Sequence, residues 1–469
     1  MRSASRQICA DSIQHSASPL FASLNSMLRA VGGRVILLRP APQCFDHNHD
    51  DIDLLLTEFQ RQQLLNAVFA KCVQSEIHCR IQQCSPSKTQ LILWNRDASQ
   101  KLMIDLWTDF IQLPLRRNDC IPADRLLNAL TESAYDTIPA LHHLPPDIEL
   151  CLLIQHLAKK RKPLASPRVQ HRIALICNRL KAWEPESTSL QVTYLLLPNL
   201  REIAERLPQA MFLAPKSIAA THDYLVQRLS NVSGNRGLQI LERRKRPAAS
   251  TQIRKAVLVN RPSIAFIGSD GSGKSSVVAA LAEQRPNVAP LVAKKLYRRS
   301  LIYQMASGLM KRLSGTARDN FDSYASVPIT LRALAALWLR SLIPAKRQTT
   351  LLDRSVASFL IKDRKTDLPR LSRGSTWIES LVPPTTSVLL TLSHSELVHR
   401  KNEMSAPGHE TYQRLLFEQA LRQHPTDVIL LSSLASAQAA ANAVAEILRA
   451  APGPTAAKNQ TAKPGKAAA

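Results

Sequence analysis

The sequence is short of several residue types, and each shortage excludes a class of protein. Aromatic residues make up 5% of the 469 residues, and glycine occurs only 13 times. A collagen-like or glycine-rich low-complexity chain is therefore excluded. Acidic residues number 36 against 61 lysines and arginines. The resulting net charge of +25 predicts attraction to an anionic partner.

Cysteine spacing and hydropathy exclude further classes. All eight cysteines lie between Cys9 and Cys177 without a C-x-x-C pair, so we expect buried apolar thiols in a reducing compartment. No window approaches 18 uninterrupted apolar residues, and the segment 1–29 is polar. Neither a membrane-spanning helix nor a signal peptide is expected. These features predict a cytoplasmic protein.

The positive charge is concentrated in the middle of the chain. Residues 151–350 hold 33 basic and 10 acidic side chains, whereas residues 1–150 hold 14 and 16. A concentrated block is typical of a surface that binds phosphates or nucleic acid. The low aromatic content counts against nucleic acid, because single strands are bound largely by stacking on aromatic rings.

Changes in residue pattern predict five segments in an α/β protein. Short aliphatic strands alternate with a helix at first, a 3.6-residue period follows, a basic turn-rich stretch comes next, and a second set of strands and helices ends the chain. The expected order is a small α/β domain, a helical bundle, a basic linker, a doubly wound parallel domain and a disordered tail. Their ranges are 1–120, 121–230, 231–262, 263–452 and 453–469. We expect residues 1–230 and 255–452 to fold independently.

A complete phosphate-binding motif opens the second α/β segment. An apolar strand over residues 263–267 leads into G-x-x-x-x-G-K-S, and a helix-compatible run begins with Ser276. The glycines let backbone N–H groups encircle a phosphate, Lys274 supplies a solvent-facing charge for it, and the Ser275 hydroxyl suits Mg²⁺. The motif predicts that ATP and Mg²⁺ bind here, on Gly268, Ser269, Asp270, Gly271, Ser272, Gly273, Lys274, Ser275 and Ser276.

The motif resembles that of thymidylate kinase and related nucleoside monophosphate kinases, because Asp270 stands at its third position. A strand ending in Asp353-Arg354 is similar to the D-R-[YH] motif of that family, and a basic stretch that begins at His399 is similar to its lid. The resemblance covers about 190 residues. It implies a P-loop kinase that transfers phosphate from ATP.

The resemblance also implies individual roles. Asp270 would face an acceptor hydroxyl and Arg354 an acceptor phosphate, while Asp353 would lie near Mg²⁺. Arg400 and Lys401 would stabilise charge on the transferred phosphoryl group. Departures fall on the acceptor side, where Ser355 replaces Tyr or His and residues 294–299 replace an Arg-Glu-Pro-Gly segment. The acceptor is therefore left open as a small nucleotide, nucleoside or sugar.

Three carboxylates mark the first α/β segment. Asp51 and Asp53 share one face of a predicted strand, and Asp105 lies on a later strand. Three convergent carboxylates suit divalent ions, and the arrangement resembles the nucleotidyltransferase fold of the polymerase beta type. That family has a Gly-Ser pair where this chain has Arg39-Pro40, and proline offers no N–H to a triphosphate. An active transferase and an inactive, ligand-sensing one with a vestigial metal site both remain open.

The two segments together resemble bacterial proteins described loosely as thymidylate kinases, some of them linked to surface polysaccharide synthesis. The sequence thus predicts an ATP- and Mg²⁺-dependent phosphotransferase. Two alternatives remain. One is a nucleotidyltransferase regulated by an ATP-binding domain, and the other is a nucleic-acid-binding protein that ATP switches.

Overall fold

A computed structural model describes most of both α/β segments. The described residues are 19–33, 35–38, 51–85, 87–111, 120–122, 134–135, 138–146, 263–285, 288–291, 349–355, 385–400, 404–423, 427–434 and 436–450, with scattered positions within 148–179, 305–335 and 358–371. The predicted linker and tail lie outside the described residues, and so does most of the predicted helical bundle.

The fold is α/β, as the sequence predicted. The described helices are α1 (Pro19–Val31), α2 (Glu58–Val73), α3 (Lys274–Gln284), α4 (His394–Arg400), α5 (Ala406–Leu421) and α6 (Ala437–Ala450). No helix in these described ranges is long and apolar enough to cross a membrane.

Sixteen strands occur among the described residues. In the first half of the chain they are β1 (Val35–Leu37), β2 (Asp51–Leu55), β3 (Ile77–Ser85), β4 (Lys88–Asn95), β5 (Lys101–Trp107), β6 (Asp109–Ile111), β7 (Cys120–Pro122), β8 (Ala134–Tyr135) and β9 (Ile138–His143). In the second half they are β10 (Ser263–Ile267), β11 (Val288–Leu291), β12 (Thr349–Leu352), β13 (Ile361–Lys362), β14 (Arg370–Leu371), β15 (Thr386–Leu390) and β16 (Asp427–Leu431).

The chain forms two compact units whose boundaries differ from the predicted ones. The first unit comprises Met1–Ala67, Ser85–Thr89 and Met103–Pro247, and the second comprises Val68–Cys84, Gln90–Leu102 and Ala248–Ala469. Part of α2, most of β3 and most of β4 therefore belong to the same unit as the predicted kinase segment, although the sequence assigned them to the segment 1–120.

In the first unit, β2 pairs with β5 in parallel and with β1 in antiparallel orientation. Strand β1 also pairs in parallel with β9. The register sets Asp53 directly opposite Asp105. Apolar side chains of β2 and β5, such as Leu54 and Leu106, are fully buried, so burial of this sheet fixes which face carries the aspartates.

In the second unit, the strand order is β11-β12-β10-β15-β16-β3-β4. The first five strands are parallel, and β3 is antiparallel to β16. The sheet is therefore mixed, whereas the sequence predicted a purely parallel one. Helix α3 contacts α6, and α5 contacts β15 and β16.

A buried ion pair joins the antiparallel strand β3 to β16. Arg80 Nε and Nη2 donate to the two carboxylate oxygens of Asp427 at 2.8 and 2.9 Å, and Thr386 Oγ1 donates to the same carboxylate at 2.8 Å. Both charged side chains are more than nine-tenths buried. The expected independence of residues 255–452 is therefore unsupported, because such a fragment lacks β3 and leaves Asp427 without its cation.

The described cysteines follow the sequence expectation in part. Cys72 and Cys79 are buried, and burial raises the pKa of both thiols, which keeps them protonated and unreactive. Cys84 is exposed, against expectation, because it lies at the end of β3 where the strand leaves the core.

Candidate functional site

The glycine loop, residues 268–275, connects β10 to α3 as the sequence predicted. Strand β10 lies between β12 and β15 in the sheet. The chain passes from β10 to β11 and β12 on one side of β10 and then crosses to β15 on its other side, so the loop stands at a point where the strand order reverses. Ligands of open α/β sheets bind outside the carboxyl ends of the strands at such points.

Two glycines are required by the shape of the loop. A Cβ on Gly268 would stand 2.8 Å from Ser272 Oγ and 3.0 Å from the carbonyl oxygen of Leu390, so no other residue fits there. Gly273 caps the start of α3 at φ 86°, a conformation that side chains disfavour. The loop is thus a backbone cradle at the N-terminus of an 11-residue helix, which suits an anion.

Lys274 is buried, whereas the sequence predicted that it faces solvent. Its side chain folds back onto the loop, and Nζ donates to the carbonyl oxygens of Gly268 at 2.9 Å and Ser269 at 2.6 Å. The ammonium is thus bound to carbonyl oxygens of the loop itself. It can serve a bound phosphate only by exchanging these carbonyl partners for phosphate oxygens.

The structure brings Asp270 and Arg354 together. Arg354 Nη2 forms an ion pair with Asp270 Oδ1, and Lys274 Nζ lies 3.8 Å from the same oxygen. Asp353 follows β12 directly and is half-buried, with its N–H donating to the carbonyl of Leu291 at 3.3 Å. The residues that the sequence assigned to the acceptor thus share one edge of the glycine loop.

Arg400 ends α4 on the other side of the loop. A Cβ on Gly273 would stand 3.9 Å from Arg400 Nη1, so the guanidinium reaches van der Waals distance of the loop. A capping box begins α4, because Ser393 Oγ accepts from the Glu396 N–H and the Glu396 carboxylate accepts from the Ser393 N–H. This cap sets the direction of the helix that presents Arg400.

A cavity of about 330 Å³ lies beside the glycine loop. Its walls are the loop and the first turn of α3, the ends of β15 and β16, Arg400, and the segment 432–434 that follows β16. The volume is in the range of small-ligand sites. A long anionic ligand could therefore place one end on the loop and the other in this cavity, with Arg400 between them.

The three aspartates of the first unit converge. Carboxylate oxygens of Asp51, Asp53 and Asp105 lie within 4.8 Å of one another, as the sequence predicted from strand alternation. Asp53 and Asp105 are buried and Asp51 is half-buried. The donor set is of the kind that Mg²⁺ prefers.

A lysine supplies part of the positive charge at this cluster. Lys88 at the start of β4 forms an ion pair with Asp105 Oδ2, and its Nζ lies 5.0 Å from the centre of the Trp107 ring. The indole N–H of Trp107 donates to Asp53 Oδ1 at 3.0 Å. Three carboxylates are suitable ligands for a divalent ion. In this structure, however, Asp105 is paired with the Lys88 ammonium and Asp53 accepts from the Trp107 indole. The sequence did not predict that Lys88 belongs to this site, because no local pattern links it to Asp105.

Removing the lysine charge should strengthen metal binding at the aspartates. We expect Lys88→Met to bind Mn²⁺ or Tb³⁺ at least about tenfold more tightly than the unaltered chain, because a neighbouring positive charge repels the ion. Tb³⁺ luminescence excited through Trp107 reports on this site directly. Asp53→Asn added to Lys88→Met should abolish the gain, and an unchanged affinity in Lys88→Met would contradict the role given to Lys88.

Three sequence assignments lie outside the described residues. They are Lys401 of the lid, the Arg39-Pro40 pair of the transferase-like segment and the basic stretch 294–299. Ser275 and Ser276 are described and are exposed in the first turn of α3, on the side of the loop that the motif predicts for a metal-bound triphosphate.

Comparison of the chain with known protein families, with curated proteins and with solved structures found no match.

Proposed function

We propose that the protein is an ATP- and Mg²⁺-dependent phosphotransferase with a P-loop kinase fold in its second unit, acting on a small nucleotide, nucleoside or sugar-type acceptor. One observation carries the proposal. A glycine loop with a buried lysine lines a cavity through Ser272 and Gly273, and its Asp270 is paired with Arg354. A donor and an acceptor can therefore meet at the loop.

The loop would bind the triphosphate through its backbone. N–H groups at the start of α3 would donate to the phosphates, and the helix would add a partial positive charge. Lys274 would exchange the carbonyls of Gly268 and Ser269 for phosphate oxygens. ATP supplies the phosphoryl group, and bound Mg²⁺ neutralises charge on it.

Ser275 and Asp353 would hold the Mg²⁺. They offer a hydroxyl and a carboxylate oxygen, which are the ligand types that this ion prefers. Ser275 is exposed in the first turn of α3, and Asp353 follows β12, which pairs directly with β10. Both therefore belong to elements that adjoin the glycine loop.

Arg400 would stabilise the transferring group. It lines the cavity together with Gly273 and Ser276, so its guanidinium adjoins both the loop and the cavity. Phosphoryl transfer depends on positioning and cations more than on covalent help from the protein. A fixed arginine at this point supplies positive charge where negative charge develops.

The acceptor site is proposed at Asp270 and Arg354. Asp270 can accept from a hydroxyl, and Arg354 can donate to a phosphate or sugar oxygen. Their mutual ion pair would be exchanged for acceptor contacts when an acceptor binds. A carboxylate and a guanidinium together favour a polar acceptor that carries both a hydroxyl and an anionic or oxygen-rich group.

Arg354→Ala should impair acceptor use and spare ATP. A charge-assisted hydrogen bond contributes about 1.5–3 kcal/mol, so we expect the acceptor KM to rise, or kcat to fall, by about 10- to 150-fold, with little change in ATP affinity. Steady-state kinetics with the acceptor found by screening measures both. Loss of ATP binding alone would move Arg354 to the donor site.

The first unit is proposed to be catalytically silent. Lys88 supplies at the aspartate cluster part of the positive charge that a divalent ion would bring, which disfavours a nucleotidyltransferase regulated by the second unit. The basic block that favoured nucleic acid lies mostly outside the described residues, so the nucleic-acid alternative gains no support from the site.

The deciding experiment is an acceptor screen with γ-labelled ATP and Mg²⁺ on the full chain. Nucleosides, nucleoside monophosphates and sugars are tested, and transfer of label is read together with ADP formation. We expect label in one acceptor class. Label from α-labelled ATP in a product, lost in Asp53→Ala, would instead assign the activity to the first unit.

A further inference from the structure

His78 connects β3 to the wall of the cavity. The residue is fully buried. Its Nδ1 lies 3.1 Å from the backbone nitrogen of Ser432 and 2.7 Å from Ser432 Oγ, and its Nε2 lies 3.0 Å from the carbonyl oxygen of Arg96. Ser432 is the first residue after β16 and lines the cavity with Ser433 and Leu434.

These contacts fix the protonation of the imidazole. A backbone N–H can only donate, so Nδ1 must be the acceptor, and Nε2 must carry the hydrogen that it donates to Arg96. Burial lowers the pKa of His78 to about 4. The ring is therefore neutral throughout the neutral pH range, with one tautomer and two partners on opposite sides.

A second contact from the same segment supports the end of β15. Thr391 Oγ1 donates to the carbonyl oxygen of Cys72 at 3.0 Å and lies 3.2 Å from that of Leu431. The Phe69 ring stacks on Phe417 of α5 with centres 4.8 Å apart. Residues 69–78 thus contact the end of β15, the residue that follows β16 and the helix between these strands.

We infer that His78 is a positioning residue for the nucleotide cavity. It holds the backbone of residues 432–434 in the shape that accepts the end of a nucleoside triphosphate that lies away from the glycine loop. This inference rests on the proposed function. Its role is indirect, because His78 itself does not line the cavity. Without the imidazole, the Ser432 N–H and hydroxyl lose their acceptor, and the segment that follows is held less firmly, although Ser433 still bonds to Glu396.

Two variants separate the contacts. His78→Leu removes all three hydrogen bonds at similar volume, whereas the amide oxygen of His78→Asn can replace Nδ1 as the acceptor for Ser432. With the full chain and Mg²⁺, we expect His78→Leu to raise the Kd and KM for ATP about tenfold, with the acceptor KM unchanged. The Asn variant should stay within about threefold of the unaltered protein. Ile81→Val, on the same buried strand, controls for lost stability and should leave the ATP Kd unchanged.

A readout without nucleotide keeps the two proposals distinguishable. Amide hydrogen exchange at Ser432 and Ser433 should be at least tenfold faster in His78→Leu than in the unaltered chain and in Ile81→Val. If the unaltered chain binds no ATP, the proposed function fails, while exchange still decides whether His78 holds the segment. If ATP binds and its Kd is the same in His78→Leu, or if exchange is unchanged, the inference about His78 is wrong.

Discussion

Arg80→Ala should destabilise the second unit by about 3–5 kcal/mol, because it leaves the Asp427 carboxylate buried without its cation. Arg80 and Asp427 are joined by two hydrogen bonds, and both side chains are more than nine-tenths buried. Amide hydrogen exchange at Val428, Ile429 and Leu430, which pair with β3 or lie beside it, measures the loss where it occurs.

The matched variants distinguish charge from packing. Replacing both partners in Arg80→Met with Asp427→Leu should recover much of the loss, because apolar pairs of similar volume replace buried ion pairs at little cost. Arg449→Ala breaks an exposed ion pair to Glu446 in the same unit and should change stability by less than about 1 kcal/mol. Equal, small effects from Arg80→Ala and Arg449→Ala would show that β3 is not an integral strand of this sheet.

Lys274→Ala should lower ATP turnover by about 100- to 1000-fold, the usual cost of losing one donor to a developing charge. The burial of Lys274 adds a requirement, because its ammonium also bonds the carbonyls of Gly268 and Ser269. The variant must therefore be shown to be folded, by circular dichroism and by its thermal midpoint, before its turnover is compared.

Two further lysine variants sharpen this test. Lys71→Ala removes a half-buried lysine that pairs with Glu76 and should leave turnover unchanged. Lys274→Arg keeps the charge but enlarges the head group inside a tight loop, so turnover should stay low even if ATP binding partly returns. Normal turnover in a folded Lys274→Ala variant would exclude the proposed role of the loop.

The glycine loop could be predicted because its signals are local. The strand, the loop and the start of the helix are contiguous. The glycine at 268 avoids a clash with the Ser272 hydroxyl within the same loop, and the glycine at 273 has a positive φ. The aspartate cluster followed from the two-residue period of β2 and from a parallel neighbour, β5. Each of these inferences needed at most one pairing between elements.

The connection between the two halves of the chain could not be predicted in the same way. Strand β3 alternates His78, Arg80 and Gln82 with apolar residues, which indicates a strand with a polar face. Its partner β16 lies about 350 residues later, and the polar face is buried against Asp427 and Ser432 rather than exposed. Likewise, the pairing of Lys88 with Asp105 depends on a contact between two separate strands.

The most direct measurement is a calorimetric titration of the full chain with ATP in the presence of Mg²⁺, repeated with Lys274→Ala. The account predicts saturable binding at one site in the unaltered protein and at least about tenfold weaker binding in the folded variant. Absence of saturable binding by the folded full chain, or equal binding by the two proteins, would contradict the claim that the glycine loop is a nucleoside triphosphate site.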